Sequence, residues 1–237
     1  MSRVRVPGFT PSASGLAFSN RFPPGPFWRV GLGRWVHVEI GDVAGGLCGG
    51  MTFVVADRHR AGLPPPPEEV APDASSALGG TIRRRQVDSF DRGRLPLRFY
   101  SLMSPLRPAR ETGWARVLGR MGLDLHSLTH VMANREWPLI RRGLDAGHLV
   151  PLGLVRVVSA NPLDLARNHQ VLAWGYDLDG EALTLHLYDP NHPGDDGVTI
   201  ALDLSDPDGA AAPVFSRPDG PLIAFFRAPY RPAAPDP

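Results

Sequence analysis

The sequence pattern changes near residue 149, and this change constrains the fold more than any other feature of the chain. Before residue 149 apolar residues recur at helical spacing, whereas after it short β-rich runs alternate with turn residues. Runs of this length and spacing are typical of hairpins in an antiparallel sheet. A helical half followed by a hairpin half predicts an α+β fold. The predicted strands span 149–158, 169–176, 183–188, 198–204 and 222–226.

The helical half begins after a short alternating segment. The apolar residues between Trp28 and Ile40 alternate with polar ones, a pattern consistent with a strand or with a loop that leads to the first helix. The last helix is predicted to begin with Asn134 as its N-cap and to end at Gly147. The other predicted helices span 47–61, 81–92 and 111–121.

The predicted organisation is a single domain over residues 28–227, flanked by an extended arm at 1–27 and a flexible tail at 228–237. The arm is rich in Pro, Gly and Ser, and it is hypothesised to fill a cleft of the domain as an autoinhibitor. A Pro-rich surface loop is predicted over 63–80. The predicted anchors of the arm on the domain are Phe9, Phe18, Phe22 and Phe27.

The composition is that of a globular protein and excludes several classes of function. The chain has 237 residues and a formal net charge of +1, too close to neutrality for the broad basic surface of a nucleic-acid-binding protein. Its single cysteine excludes an internal disulfide. No apolar segment has the length of a secretion signal or a membrane span, so we expect a cytoplasmic protein. All 25 basic residues are arginine, which is typical of a GC-rich bacterial genome.

The segment that follows the third predicted strand is rich in metal-ligating residue types, but their spacing does not fit a metal site. In a calcium-binding loop that begins at Asp189, Pro193 and Ile200 occupy positions where oxygen ligands are required. A zinc site from His186 and His192 would need side chains on opposite faces of the chain. We therefore expect no bound metal and no cofactor.

Cys48 is surrounded by Gly45, Gly46, Gly49 and Gly50, and it lies where the first helix is predicted to begin. At a helix N-terminus the unpaired N–H groups and the positive end of the helix dipole favour a thiolate. Basic residues in the last turn, followed by a glycine and four prolines, mark the end of this helix. The segment therefore indicates a nucleophilic cysteine. Its predicted apolar face comprises Leu47, Met51, Val54 and Val55.

His169 and Asp189 are predicted to lie at the same end of one hairpin. His169 begins a strand, and Asp189 follows the strand that returns beside it. Two residues placed in this way can touch, and an imidazole oriented by a carboxylate is the general base that a thiol nucleophile requires. The three residues together predict a Cys-His-Asp triad.

The order of these segments resembles that of the papain-like cysteine peptidases. A cysteine at a helix start is followed by a histidine in the sequence HQVLAWGYD, and then by YDP at the end of the next strand. The similarity is greatest to the leader-peptide-cleaving domains of bacteriocin exporters and their soluble bacterial relatives, and it covers residues 47–61 and 136–204. The resemblance implies a papain-like fold with Cys48 as nucleophile, His169 as base and Asp189 as orienting residue.

The chain departs from that family at the oxyanion position. The family places a glutamine six residues before the cysteine, and this chain has Asp42 there, which cannot donate a hydrogen bond when ionised. The backbone N–H groups of Cys48 and Gly49, or another side chain, are the alternative donors. Asp42, Trp174 and Asn191 are expected in the cleft.

Two classes of function remain open from the sequence. The first is a thiol-dependent hydrolase or acyltransferase, whose substrate is a peptide, a protein or a small amide or ester. The second is a non-catalytic binding or interaction protein on a degenerate papain-like scaffold, which the missing glutamine favours. The oligomeric state is left open.

Overall fold

The structure, a computed structural model, describes residues 1–24, 26–31, 37–42, 46–73, 75–120 and 125–235. Within these ranges, only the backbone is described for residues 26–31, 37–42, 116 and 118–120. Among the described residues, no helix combines the length and the apolar character that a membrane span requires.

From residue 46 to residue 149 the described elements are helices, and after residue 149 most are strands, as the pattern change near residue 149 predicted. Three further strands lie before residue 43. The helices are α1 (Pro11–Ser14), α2 (Cys48–Arg60), α3 (Ala77–Ser89), α4 (Arg94–Met103), α5 (Gly113–Arg120), α6 (Leu128–His130) and α7 (Trp137–Asp145), with a π-helical segment, Val131–Glu136, between α6 and α7. The strands are β1 (Ser2–Arg5), β2 (Pro26–Gly31), β3 (His37–Asp42), β4 (Val150–Val155), β5 (His169–Asp179), β6 (Ala182–Tyr188), β7 (Thr199–Asp203), β8 (Val214–Phe215) and β9 (Ala224–Arg227).

The main sheet is antiparallel, with strands in the order β8-β7-β6-β5-β4-β9. Strand β5 is long enough to pair with two strands along one edge, β4 near its start and β1 near its end. On its other edge it pairs with β6, where Leu172 is opposite Tyr188. Strands β2 and β3 form a separate two-stranded sheet. The predicted α+β class is confirmed.

Helix α2 packs between β5 and α3. Every residue from Gly49 to Asp57 is buried, so the helix is covered on all sides and not only along the predicted apolar face. Helix α7 packs against the same sheet and contributes Trp137, Ile140 and Leu144 to the core. The first residue of α2 is therefore held at the start of strand β5.

The N-terminal arm is part of the main sheet. Strand β1, which was not predicted, pairs with β5 from Gly175 to Leu178. The three predicted anchors whose side chains the structure describes, Phe9, Phe18 and Phe22, are buried. The side chain of Phe27 lies outside the described residues. Pairing and burial therefore hold the arm in place from both ends.

The C-terminal segment, predicted to be flexible, docks on α2 over the residues that the structure describes. The hydroxyl of Tyr230 and the backbone N–H of Ala233 donate to Asp57 Oδ1 at 2.6 and 3.0 Å. Asp57 is buried and also lies 2.7 Å from Arg85 Nε. A buried carboxylate needs such partners, and the C-terminal segment supplies two of them.

Helix α3 begins before the predicted position, because Ser76 caps it. The Ser76 hydroxyl accepts a hydrogen bond from Gly79 N at 3.0 Å, so the Pro-rich connection ends at residue 76 and not at residue 80. Helix α4 was not predicted at all. Its proline, Pro96, stands in the first turn, where proline is tolerated. The buried residues of α4 still show helical spacing: Leu95, Phe99, Leu102 and Met103.

The last helical region begins at Leu128 and not at Asn134, because Ser127 is its N-cap. Asn134 lies inside the π-helical segment Val131–Glu136, and the helix continues across Pro138. In a π-helix each hydrogen bond spans five residues instead of four, so the hydrogen-bond pattern changes just before Pro138. Proline has no backbone N–H to donate. The predicted start was wrong for two reasons. Asn134 is a suitable N-cap residue as well as Ser127, and a start at Asn134 would place Pro138 near the start of the helix.

The contact between α2 and α3 should be sensitive to one methyl group at Gly50. A Cβ at this position would collide with the backbone oxygen of Ile82. We expect Gly50→Ala to lower the free energy of unfolding by about 1–3 kcal/mol, the range for an overpacked core. Gly80→Ala is the matched control, because a Cβ there meets open space and alanine is the better helix former by about 1 kcal/mol.

Urea unfolding of both variants measures the two changes. Equal stability of Gly50→Ala and the unsubstituted protein would contradict the described packing of α2 on α3.

Candidate active site

Cys48 is the first residue of α2 and is half-buried. Its side chain lines a cavity of about 770 Å³ that also reaches His169 and Asn191. The predicted helix start at the cysteine is confirmed. Because the helix N-terminus opens into a cavity, a ligand of moderate size can reach the thiol.

The glycines after Cys48 allow close packing of the helix and do not widen the approach to the thiol. A Cβ on Gly49 would collide with the side chains of Gln170 and Ser89. Gly46, before the cysteine, has φ of +94°, a conformation that favours glycine. Gly45 lies outside the described residues. The glycines thus bring the thiol close to β5 and set the turn that leads to it.

His169 joins the thiol to a buried carboxylate. It is the first residue of β5, its side chain is 5% exposed, and its Nε2 donates to Asp189 Oδ1 at 2.7 Å. The thiol of Cys48 lies close enough to the same imidazole for each group to shift the pKa of the other. Because Asp189 occupies Nε2, the other ring nitrogen, Nδ1, is the one left for the thiol. The predicted contact between His169 and Asp189 is present.

Asp189 is held by the turn that follows β6. Its side chain has no exposed surface, and its Oδ1 also accepts a hydrogen bond from the backbone N–H of Asn191 at 2.8 Å. The next peptide oxygen, that of Pro190, accepts from the backbone N–H of Asn20 at 2.9 Å. These contacts fix the carboxylate and connect its turn to the N-terminal arm.

The contacts shift the pKa values of the thiol and the imidazole in opposite directions. Burial raises the pKa of Cys48, but the hydrogen bond to His169, its positive charge and the backbone N–H of Gln170 outweigh this and hold the pKa below its ordinary value. Burial lowers the pKa of His169, whereas the charge and hydrogen bond of Asp189, together with Cys48, raise it above its ordinary value. The two shifts favour a thiolate–imidazolium pair.

Asp189 stays ionised in this environment. Burial raises the pKa of its carboxyl, but the charge and hydrogen bond of His169 and the backbone N–H of Asn191 outweigh burial and hold the pKa below its ordinary value. A negative carboxylate on one side of the ring and a thiolate on the other both stabilise the imidazolium form.

Two side-chain amides cap the start of α2. Asn20 Oδ1 accepts from the backbone N–H of Leu47 at 2.6 Å, and Gln86 Oε1 accepts from that of Gly50 at 2.8 Å. Both amides line the cavity. The first N–H groups of a helix have no partner within it, and these two caps satisfy the outer members of the set.

The remaining N–H groups at the start of α2 are those of Cys48 and Gly49. Neither has a hydrogen-bond partner among the described residues. Backbone N–H donors placed beside a sulfur nucleophile are the groups that stabilise the negative oxygen of a tetrahedral intermediate in acyl transfer. The backbone alternative to the missing glutamine is therefore available.

The predicted cleft residues differ in where they lie. Asn191 lines the cavity. Trp174 does not: it is buried against Phe9 and His186, with the guanidinium of Arg5 over its ring. A bulge in β5 between residues 173 and 175 accompanies this placement, and Trp174 belongs to the packing of the arm.

Asp42 stands where the resembling family has its oxyanion glutamine, and only its backbone is described. Asp42 is the last residue of β3, and it pairs with Pro26. Its side chain lies outside the described residues. Asn20 and Gln86 were not predicted as part of the site, since each stands in a segment distant along the chain from Cys48 and no motif links them to it.

Among the residues that the structure describes, two groups of side chains have the chemistry of metal ligands. In the first, potential ligand atoms of Glu111, His126 and His130 lie within 4.8 Å of one another. His126 Nδ1 is 2.8 Å from Glu111 Oε1, and His130 Nδ1 is 2.9 Å from Asp208 Oδ1. Zinc binds such donors, and the hydrogen bonds to carboxylates also satisfy both imidazoles without a cation. This group was not predicted from the sequence.

The second group comprises Asp189, His192 and Asp219, with potential ligand atoms again within 4.8 Å of one another. It includes the carboxylate that orients His169, and His192 Nε2 donates to Asp219 Oδ2 at 2.6 Å. The group thus belongs to the wall of the cavity.

Comparisons with known proteins add no assignment: no family model, no curated protein and no solved structure matches this chain.

The opposite pKa shifts predict the pH dependence of thiol alkylation. Because the pKa of Cys48 is lowered and that of His169 is raised, Cys48 should carry a larger fraction of thiolate at pH 6 than an ordinary thiol with pKa near 8.5. We expect Cys48 to react with iodoacetamide at pH 6 faster than N-acetylcysteine does, with a reactive plateau that extends to lower pH. His169→Ala removes the stabilising charge and should abolish this plateau.

His148→Ala is the matched control, since His148 is exposed and remote from the cavity residues. Mass spectrometry of the alkylated protein gives the rates. An ordinary thiol profile in the unsubstituted protein, unchanged by His169→Ala, would contradict the ion pair.

Proposed function

We propose that this protein is a thiol-dependent hydrolase or acyltransferase on a papain-like fold, acting on amide or ester bonds. The observation that carries the proposal is the continuous set of contacts from Cys48 through His169 to Asp189 at the edge of an open cavity. A buried cysteine kept for packing would need neither the imidazole nor the buried carboxylate.

The papain-like assignment is supported by how the elements carry these residues. The nucleophile begins a buried helix, and that helix packs on an antiparallel strand whose first residue is the histidine. The aspartate follows the neighbouring strand of the same hairpin. This is the arrangement that the sequence resemblance implies.

In the first step, the Cys48 thiolate attacks the carbonyl carbon of the substrate, and the carbonyl electron pair moves to oxygen. The N–H groups of Cys48 and Gly49 are placed to stabilise this oxyanion. When the intermediate collapses, the departing amine or alcohol takes a proton from the His169 imidazolium. An acyl thioester on Cys48 and a neutral imidazole remain.

In the second step, the neutral His169 accepts a proton from water or from an acceptor amine as it attacks the thioester carbonyl. Cys48 leaves as a thiolate, and the ion pair is restored. Asp189 keeps the ring oriented and stabilises the imidazolium in both steps. Hydrolysis and acyl transfer share this course and differ only in the acceptor.

Asn20 is the side chain that we assign to the role of the missing glutamine. Its Oδ1 binds the backbone N–H that immediately precedes Cys48, and its Nδ2 is 3.4 Å from Asn191 Oδ1 at the cavity wall. An amide nitrogen carries two N–H groups, so Nδ2 keeps one donor besides the one directed at Asn191, in the cavity that Cys48 also lines.

Acylation of Cys48 is the direct test of the proposed function. We expect a panel of p-nitrophenyl esters and peptide thioesters to leave an acyl group on Cys48, detected by mass spectrometry, and none on Cys48→Ser. Asp189→Asn should slow acylation by about 10²–10⁴-fold, because the ring loses its orientation and charge partner. Ligand binding without any adduct would instead favour the binding-protein alternative.

Asn20→Asp tests the assigned donor. The carboxylate keeps an acceptor for Leu47 N–H but removes the amide donor, so acylation should fall by about 10²–10³-fold. Gln86→Glu is the matched control, since it makes the same change at the other cap of α2. An equal fall in both variants would attribute the loss to added negative charge and contradict the assignment.

A further inference from the structure

The cavity beside Cys48 carries positive charge that the proposed chemistry does not use. Three arginines line it: Arg21 from the N-terminal arm, Arg156 after β4, and Arg167 just before His169. Asp219 is the one acidic residue among the described residues that line the cavity. The wall therefore has more cationic than anionic groups even before the imidazoles are counted.

The carboxylate of Asp219 leaves most of the positive charge of the three arginines uncompensated. Asp219 directs its carboxylate to His192, and Arg156 donates to the backbone oxygen of Asp219, which carries no formal charge. The guanidinium of Arg21 has no carboxylate partner among the described residues. Within the described part of the chain, Arg156 and Arg21 are thus cations without a neutralising anion.

Arg167 is only partly compensated. Its Nη1 lies 3.6 Å from Asp164 Oδ1, its side chain is 64% exposed, and the other oxygen of Asp164 accepts a hydrogen bond from Ser159 at 2.6 Å. An exposed pair at this distance holds the guanidinium weakly. Arg167 can therefore turn toward a ligand at little cost.

Another part of the lining is apolar. Its residues come mainly from the end of α3 and from α4, and they are Phe90, Leu95, Pro96, Phe99 and Leu165. A ligand that fills the cavity therefore meets apolar surface together with guanidinium groups. Guanidinium groups form paired hydrogen bonds with the oxygens of carboxylates and phosphates, which a neutral amide cannot match.

We propose that the substrate of this site carries an anionic group, a carboxylate or a phosphate, close to the bond that Cys48 attacks, next to an apolar part. This inference rests on the proposed function, since it names the substrate class of the same site. Arg21 and Arg156 bind the anionic group, and the apolar wall holds the remainder of the acyl chain. The same charges raise the local concentration of anionic substrates at the thiolate.

Two alkylating reagents of similar size separate this inference from the proposed function. Iodoacetamide is neutral and reports the thiolate, whereas iodoacetate is anionic and also reports the charge of the cavity. We expect the ratio of iodoacetate to iodoacetamide rates at Cys48 to exceed that of N-acetylcysteine. In Arg21→Gln/Arg156→Gln the ratio should fall by about tenfold, the lower end of electrostatic steering, with the iodoacetamide rate nearly unchanged.

Arg142→Gln is the matched control, because Arg142 is an exposed residue of α7 outside the cavity. It should leave the ratio unchanged. Added salt should lower the ratio in the unsubstituted protein and have less effect in the double variant, since salt screens exposed charges. The unchanged iodoacetamide rate also shows that the double variant is folded around an intact thiolate.

Protection from iodoacetamide identifies which anion the arginines bind. We compare how far glutarate and inorganic phosphate slow the alkylation of Cys48. If one of them protects the unsubstituted protein but not the double variant, the inference is supported and that anion is the one the arginines bind. An iodoacetate ratio that the double variant leaves unchanged, with no protection by either anion, would overturn it. A thiol that reacts with iodoacetamide at pH 6 as slowly as N-acetylcysteine would instead overturn the proposed function.

Discussion

The close approach of α2 to strand β5 is the contact on which the rest of the site depends. Gly49 lies against the side chains of Gln170 and Ser89, with no room for a Cβ. This contact sets the distance between the thiol at the start of the helix and the imidazole at the start of the strand. A Cβ at Gly49 would displace the ends of the Gln170 and Ser89 side chains, which fill the space between the helix and the strand.

The buried pair of His169 and Asp189 gives the site its electrostatic character. A carboxylate without exposed surface is stable only with close partners, and this one has the imidazole at 2.7 Å and the Asn191 N–H at 2.8 Å. Its charge favours the imidazolium, and the imidazolium in turn favours the thiolate. The N–H groups of Cys48 and Gly49, which have no hydrogen-bond partner among the described residues, lie at the same helix start, as the proposed chemistry requires.

Local patterns were enough to predict much of this. The helix from Cys48 and the hairpin that carries His169 and Asp189 follow from apolar spacing and turn residues, and both are present. The start of the last helix was wrong because two N-cap residues competed and a π-helical segment carried the chain past Pro138. Helix α4 and strands β1 and β8 were missed, since short or proline-containing segments give weak periodicity.

The sequence by itself determined the α+β class, the helix that begins at Cys48 and the contact between His169 and Asp189, because each depends on neighbours in the chain or on one hairpin. Only the tertiary structure decided that Asn20 and Gln86 cap the nucleophile helix, that Trp174 lies outside the cleft, and that arginines from three separate segments share one cavity. The physical reason is that these placements arise from contacts between residues far apart in the chain, which periodicity and spacing do not record.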